Sequence, residues 1–168
     1  MNHIILIGFM GAGKTSIGKG LSEKLQWKFI DTDCLIEEQQ KKTINDIFAD
    51  HGENYFRDLE TDVLKHLLDA KEQYVVAVGG GLPVREENRR YLKELGTVVY
   101  LKADVETLVE RLSGDTTRPK LRGGDLREKI ETLMRARADI YEDAATLEVY
   151  TDHRSLTDVV KEIVEHVL

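Results

Sequence analysis

Residues 8–15 read Gly8-Phe9-Met10-Gly11-Ala12-Gly13-Lys14-Thr15 and fit the spacing G-x-x-x-x-G-K-[ST]. That pattern suits a loop that holds phosphate. Glycines let the backbone curl so that successive N–H groups converge on phosphate oxygens. Lys14 adds a point charge at the β- and γ-phosphates, and the Thr15 hydroxyl can ligate Mg²⁺. The flanks agree. The apolar run His3–Ile7 predicts a buried strand before the loop, and Ile17, Leu21 and Leu25 recur at helical spacing after it. The helix N-terminus favours the same anion. A nucleoside triphosphate is the expected ligand, with Gly11, Ala12, Gly13, Lys14, Thr15 and Ser16 around its phosphates.

Two further groups fall just past predicted strands: Asp31-Thr32-Asp33 and Gly79-Gly80-Gly81. Carboxylates beside such a loop have two natural roles. One is to hold Mg²⁺, directly or through water. The other is to accept a proton from an attacking hydroxyl, or to orient it. An Asp-x-Asp turn can also cap the next helix, and Asp33 is a candidate for both capping and chemistry. Triple glycine lets a ligand approach the backbone closely, although Gly81 can be read as a turn residue alone. Arginines supply the rest. Arg57 stands three residues before Glu60, Arg118 lies in a glycine-rich stretch, Arg137 lies on a predicted helix and Arg154 precedes another. Phosphoryl transfer requires cations around the migrating charge.

Strands and helices alternate to position these groups. Strands are predicted at His3–Ile7, Lys28–Ile30, Tyr74–Val78, Thr97–Leu101 and Leu147–Tyr150, and helices lie between them. Thr43 opens a short helix as a capping residue. The stripe Leu156, Val159, Val160, Ile163, Val164 and Val167 predicts a core-facing last helix. The pattern is that of an open parallel α/β sheet covered on both faces, with ligands at the strand C-termini. Residues 113–124, poor in apolar side chains, predict a mobile lid carrying Arg118.

At 168 residues, the expectation is a single domain spanning 1–168. The net charge of −7 argues against a nucleic-acid or membrane-surface binder. The lone Cys34 fits a reducing compartment, and no leader or membrane-length run is evident, so a cytoplasmic location is expected. The five histidines lack metal-ligand spacing and read as structural or surface residues.

Taken together, these segments resemble the shikimate kinases. The resemblance rests on Gly8–Gly18, Asp31-Thr32-Asp33, Gly52-Glu53 with Phe56-Arg57-x-x-Glu60, Gly79-Gly80-Gly81, Arg118-Pro119 and Arg137-x-x-x-Tyr141, in family order over almost the whole length. It implies a three-layer P-loop kinase fold with a five-stranded parallel sheet in order 2-3-1-4-5. It implies transfer of the γ-phosphoryl of ATP to the 3-hydroxyl of shikimate, with Mg²⁺, by a protein expected to be a monomer. By position, Asp33 resembles the hydroxyl ligand and base. Arg57 and Arg137 resemble the carboxylate grip, and Gly79 and Gly80 backbone contacts to shikimate. Lys14 and Arg118 would act on the phosphates, Thr15 and Asp31 would support Mg²⁺, and Arg111 and Arg154 would flank the adenine. A planar carboxylate suits arginine forks, and Glu60 would orient the Arg57 guanidinium. The departures are Lys120 in the lid, Thr15 where Ser is frequent, and no proline before Tyr141. Rival readings are a gluconate kinase or a nucleotide-binding module without transfer.

Overall fold

The computed structural model describes residues 2–113 and 125–168. The Arg118, Lys120 and lid expectations, apart from Ser113, lie outside the described residues.

The centre is β1 (His3–Ile7), in which every residue is buried. An uninterrupted apolar run is what a strand covered on both faces requires. It pairs in parallel with β3 (Tyr74–Ala77) on one side and β4 (Gly96–Lys102) on the other. The outer strands are β2 (Lys28–Asp31) and β5 (Leu147–Tyr150). The sheet is therefore ordered β2-β3-β1-β4-β5, as expected, with all four pairings parallel.

Alternation along the buried strands feeds two cores. One face carries Ile5, Ile7, Val76, Val98 and Tyr100. Against it pack α4 (Glu53–Leu68), α5 (Glu86–Leu95) and α7 (Leu126–Ala144), through Val63, Leu64, Leu92 and Ile130. The other face carries Ile4, Leu6, Val75 and Val99. It is covered by α1 (Lys14–Leu25) and α8 (Leu156–Val167), through Ile17, Leu21, Val159 and Ile163. The remaining helices are α2 (Thr32–Gln40), α3 (Ile44–His51) and α6 (Val105–Leu112). Thr43 caps α3 as expected, its Oγ1 accepting from Asp46 N at 3.1 Å. Among the described residues no helix is long and apolar enough to cross a membrane.

Three local features differ from the sequence expectation. A 3₁₀ turn at Leu82–Val84 follows the glycines, ahead of α5. Pro83 sets that turn by removing one backbone donor. Leu156 is not core: it is 47% exposed, because the first turn of α8 overhangs a cavity. On α4 the inward stripe is interrupted by Glu60, which is fully buried. His3 is structural, as expected: Nδ1 accepts from Tyr74 N at 3.0 Å, and Nε2 donates to Leu67 O at 3.3 Å.

Candidate active site

The C-terminal ends of β1, β2 and β3 open onto one cavity of about 850 Å³. In a chain of net charge −7, its lining gathers the cations Lys14, Arg57, Arg111, Arg137 and Arg154. Such concentration in a concave site focuses the field on an anionic ligand.

One end is the loop after β1. Gly11 and Gly13 adopt φ of 84° and 98°, left-handed values that glycine takes without Cβ strain. Gly13 caps α1 with no side-chain hydrogen bond, so the helix start is left for an external anion. Lys14 Nζ donates to Gly8 O at 2.6 Å, which holds the ammonium along the loop. Arg111 Nη1, from the end of α6, donates to Gly11 O at 2.9 Å. Arg154 lies beside Leu156 and is tied by Tyr150 O at 2.9 Å and Glu162 at 3.0 Å.

The carboxylates divide their work. Asp31, not Asp33, caps α2: its Oδ1 accepts from Asp33 N at 2.9 Å and Cys34 N at 3.2 Å. Its Oδ2 accepts from Thr15 Oγ1 at 3.3 Å, so the hydroxyl and the carboxylate meet beside the phosphate loop. Asp33 is thereby released from capping. It stands on the first turn of α2 and points at the glycine turn after β3.

None of Gly79, Gly80 or Gly81 has positive φ, so backbone freedom is not what selects them. Space is. A methyl group on Gly79 would sit 2.7 Å from Asp33 Oδ1 and 3.0 Å from Glu60 Oε2. On Gly81 it would overlap the guanidinium of Arg57. Gly81 is thus more than a turn residue. The Gly79 N–H is itself donated to the buried Thr32 Oγ1 at 3.2 Å, a bond between the ends of β2 and β3 that no motif signals.

Gly79→Ala should therefore force Asp33 and Glu60 apart. A displacement near 1 Å at reacting groups costs about 10²-fold, and turnover should fall by about that factor. Steady-state kinetics beside a thermal melt checks this; wild-type turnover would contradict the packing described.

Arg57 and Arg137 converge on the same turn from α4 and α7. Arg57 donates to Glu60 Oε1 at 2.6 Å and to Glu53 Oε1 at 3.2 Å. Arg137 is only 7% exposed, and its buried Nη1 has no hydrogen-bond partner among the described residues. Glu60 Oε2 is likewise buried without one. Buried polar atoms are ordinarily hydrogen-bonded, so this pair is one donor and one acceptor open to a further partner. The Arg57–Glu60 pair is therefore not the solvated surface pair that its spacing alone allows.

Burial pushes the Glu60 carboxyl up to about 7, against the pull of Arg57, with the Asp33 charge adding to the rise. In the unfolded chain it ionises near 4.5. Between those values the folded state holds the extra proton, so stability falls as pH rises through the window and levels off on either side. In Glu60→Gln, the melting temperature should change less than in wild type between about pH 5 and pH 7.5. An equal slope in the variant would assign the dependence to other groups.

Sequence reasoning missed the bond made by Thr32, the second Arg57 partner Glu53, and the α3 start, where Thr43, Ile44 and Asn45 line the cavity. Their signals are ordinary polar and apolar types, which only the tertiary fold brings to the cavity.

Residues 10–168 match the family model described as shikimate kinase. The chain belongs to the shikimate kinase family. A shikimate kinase of Bacillus cereus strain G9842 is 42% identical over 167 residues, covering 99% of both chains. The structure of shikimate kinase from Acinetobacter baumannii in complex with shikimate superposes with a TM-score of 0.93 at 36% identity, covering 99% of this chain and 93% of that one. A gluconokinase from Sinorhizobium meliloti 1021 shares the fold only, with a TM-score of 0.64 at 18% identity over 99% of this chain and 91% of that one. The cavity has the Gly11–Ser16 loop at one end and Arg57, Arg137 and the glycine turn at the other.

Proposed function

We propose that this protein transfers the γ-phosphoryl group of ATP to the 3-hydroxyl of shikimate, a step of aromatic amino-acid biosynthesis. The observation that carries the reading is the pair of guanidiniums, Arg57 and Arg137, set at the glycine turn across the cavity from the phosphate loop. Two arginine forks suit a planar carboxylate better than a polyol. The orphan Arg137 Nη1 and Glu60 Oε2 supply one donor and one acceptor for a ligand that carries both a carboxylate and hydroxyls.

In this reading, the Asp33 carboxylate accepts the proton of the attacking hydroxyl. That oxygen forms the new bond to the γ-phosphorus, the bond to the β,γ-bridging oxygen breaks, and ADP leaves. The N–H groups of Gly11–Ser16 and the Lys14 ammonium neutralise charge on the transferring group. Arg118 adds a further cation there, and Arg111 and Arg154 flank the adenine. Gly79 and Gly80 bring backbone against the acceptor. Thr15 and Asp31 form a hard-oxygen pair that fits Mg²⁺, which keeps its waters and takes few protein ligands. When bound, Mg²⁺ would offset charge on the β- and γ-phosphates. The protein works as a single domain, 1–168, as a cytoplasmic monomer without nucleic-acid or membrane partners.

Shikimate and gluconate, offered at equal concentration with Mg-ATP, separate this function from the gluconate kinase reading. ADP release should depend on shikimate; preference for gluconate would reverse the assignment. ATP binding with neither acceptor turned over would leave a nucleotide-binding module.

A further inference from the structure

The turn Gly79–Gly81 carries three carbonyls, and each is pinned. Gly79 O accepts from Leu82 N at 3.1 Å and Gly81 O from Val84 N at 3.1 Å, both within the turn and its 3₁₀ continuation. Gly80 O is different. It accepts from the Tyr141 hydroxyl at 2.6 Å, from a side chain 61 residues away on α7. This bond decides which way the Gly80–Gly81 peptide faces. Glycine on both sides gives that peptide almost no steric preference of its own.

A peptide whose carbonyl is held toward α7 must present its N–H on the opposite side. Here that is the N–H of Gly81, the residue packed directly against the Arg57 guanidinium. Tyr141 is one turn beyond Arg137 on the same helix, 1% exposed, with its ring against Tyr100 at a centroid distance of 5.2 Å. A methyl group on Gly80 would lie 3.4 Å from Arg137 Nη1 and 3.5 Å from the Tyr141 hydroxyl. One phenol thus stands beside one arginine of the grip and fixes the peptide beside the other.

We propose that Tyr141 is a positioning residue for acceptor binding: its hydroxyl locks the Gly80–Gly81 peptide so that an N–H, and not a carbonyl oxygen, joins Arg57 and Arg137 in facing the acceptor carboxylate. The inference rests on the shikimate reading above. Burial pushes the phenol up to about 12, so it remains a donor throughout the neutral range. Without it, the peptide is free to rotate and set a carbonyl against the carboxylate.

Tyr141→Phe keeps the ring and removes one oxygen. The KM for shikimate should rise about ten- to a hundred-fold, the value of a charge-assisted hydrogen bond, while kcat and the KM for ATP stay within about two-fold. A structural role alone would lower the melting temperature and leave that split absent. Shikimate KM unchanged in a folded Tyr141→Phe, or a fall in kcat with KM constant, overturns the proposal. If the phenylalanine variant fails to fold, the Gly81 amide resonance of the wild-type protein tests the same point: it should move downfield when shikimate is added, and an unmoved resonance counts against the locked peptide. Wild-type turnover is the control: its absence with shikimate defeats the functional reading, whereas its presence with an indifferent Tyr141→Phe defeats only this inference.

Discussion

Asp33→Asn is expected to lower kcat by about 10²- to 10⁴-fold, the range lost when a positioned general base is removed, with the KM for ATP little changed. The substitution keeps the shape of the side chain and removes only the capacity to accept a proton. It leaves the fold intact because the cap of α2 belongs to Asp31, whose Oδ1 holds the Asp33 and Cys34 N–H groups. The loop end of the cavity, lined by Gly11–Ser16 and Arg111, is untouched. Pre-steady-state and steady-state kinetics with shikimate give the value. A variant that keeps more than about half of wild-type turnover would remove Asp33 from the chemistry.

Arg57→Lys is expected to raise the KM for shikimate by about ten- to a hundred-fold, and that for ATP hardly at all. Arg57 is 13% exposed at its side chain and already uses its fork, with one nitrogen on Glu60 and another on Glu53. A lysine ammonium is a compact, strongly hydrated charge that cannot meet a carboxylate and Glu60 in one plane. It would also leave buried Glu60 with a weaker partner, so some loss of thermal stability accompanies the change. Equal changes in both KM values would mean that Arg57 serves the whole cavity and not the acceptor end.

Much of this site was legible in the sequence because its parts obey local rules. The phosphate loop is a contiguous motif between a strand and a helix. The parallel sheet followed from strands that alternate with helices, and its strand order from the family resemblance. Asp31, Asp33 and the glycines could be placed because each follows a strand, and parallel strands share one functional edge. What could not be read is how these groups divide their work. Which aspartate caps α2 depends on the helix starting at Thr32, a boundary that composition does not fix. Glu60 resembles any helix-surface glutamate until the fold buries it under Arg57 and Gly79. Gly81 passes for a turn residue until the guanidinium fills the volume where its Cβ would be. Leu156 belongs to a regular apolar stripe, yet its turn overhangs the cavity. Thr32 and Tyr141 act through backbone atoms 47 and 61 residues away, distances at which no sequence spacing informs.

In the proposed reaction the cavity joins ATP at the loop to the hydroxyl of an acceptor whose carboxylate is held by Arg57 and Arg137 beside the glycine turn. Phosphorus NMR of a mixture of protein, Mg-ATP and shikimate tests it most directly. The γ-phosphoryl resonance should disappear in step with a new phosphomonoester resonance coupled to the proton on carbon 3, with ADP formed in equal amount. Release of inorganic phosphate without that ester, or an ester on another hydroxyl, would contradict it.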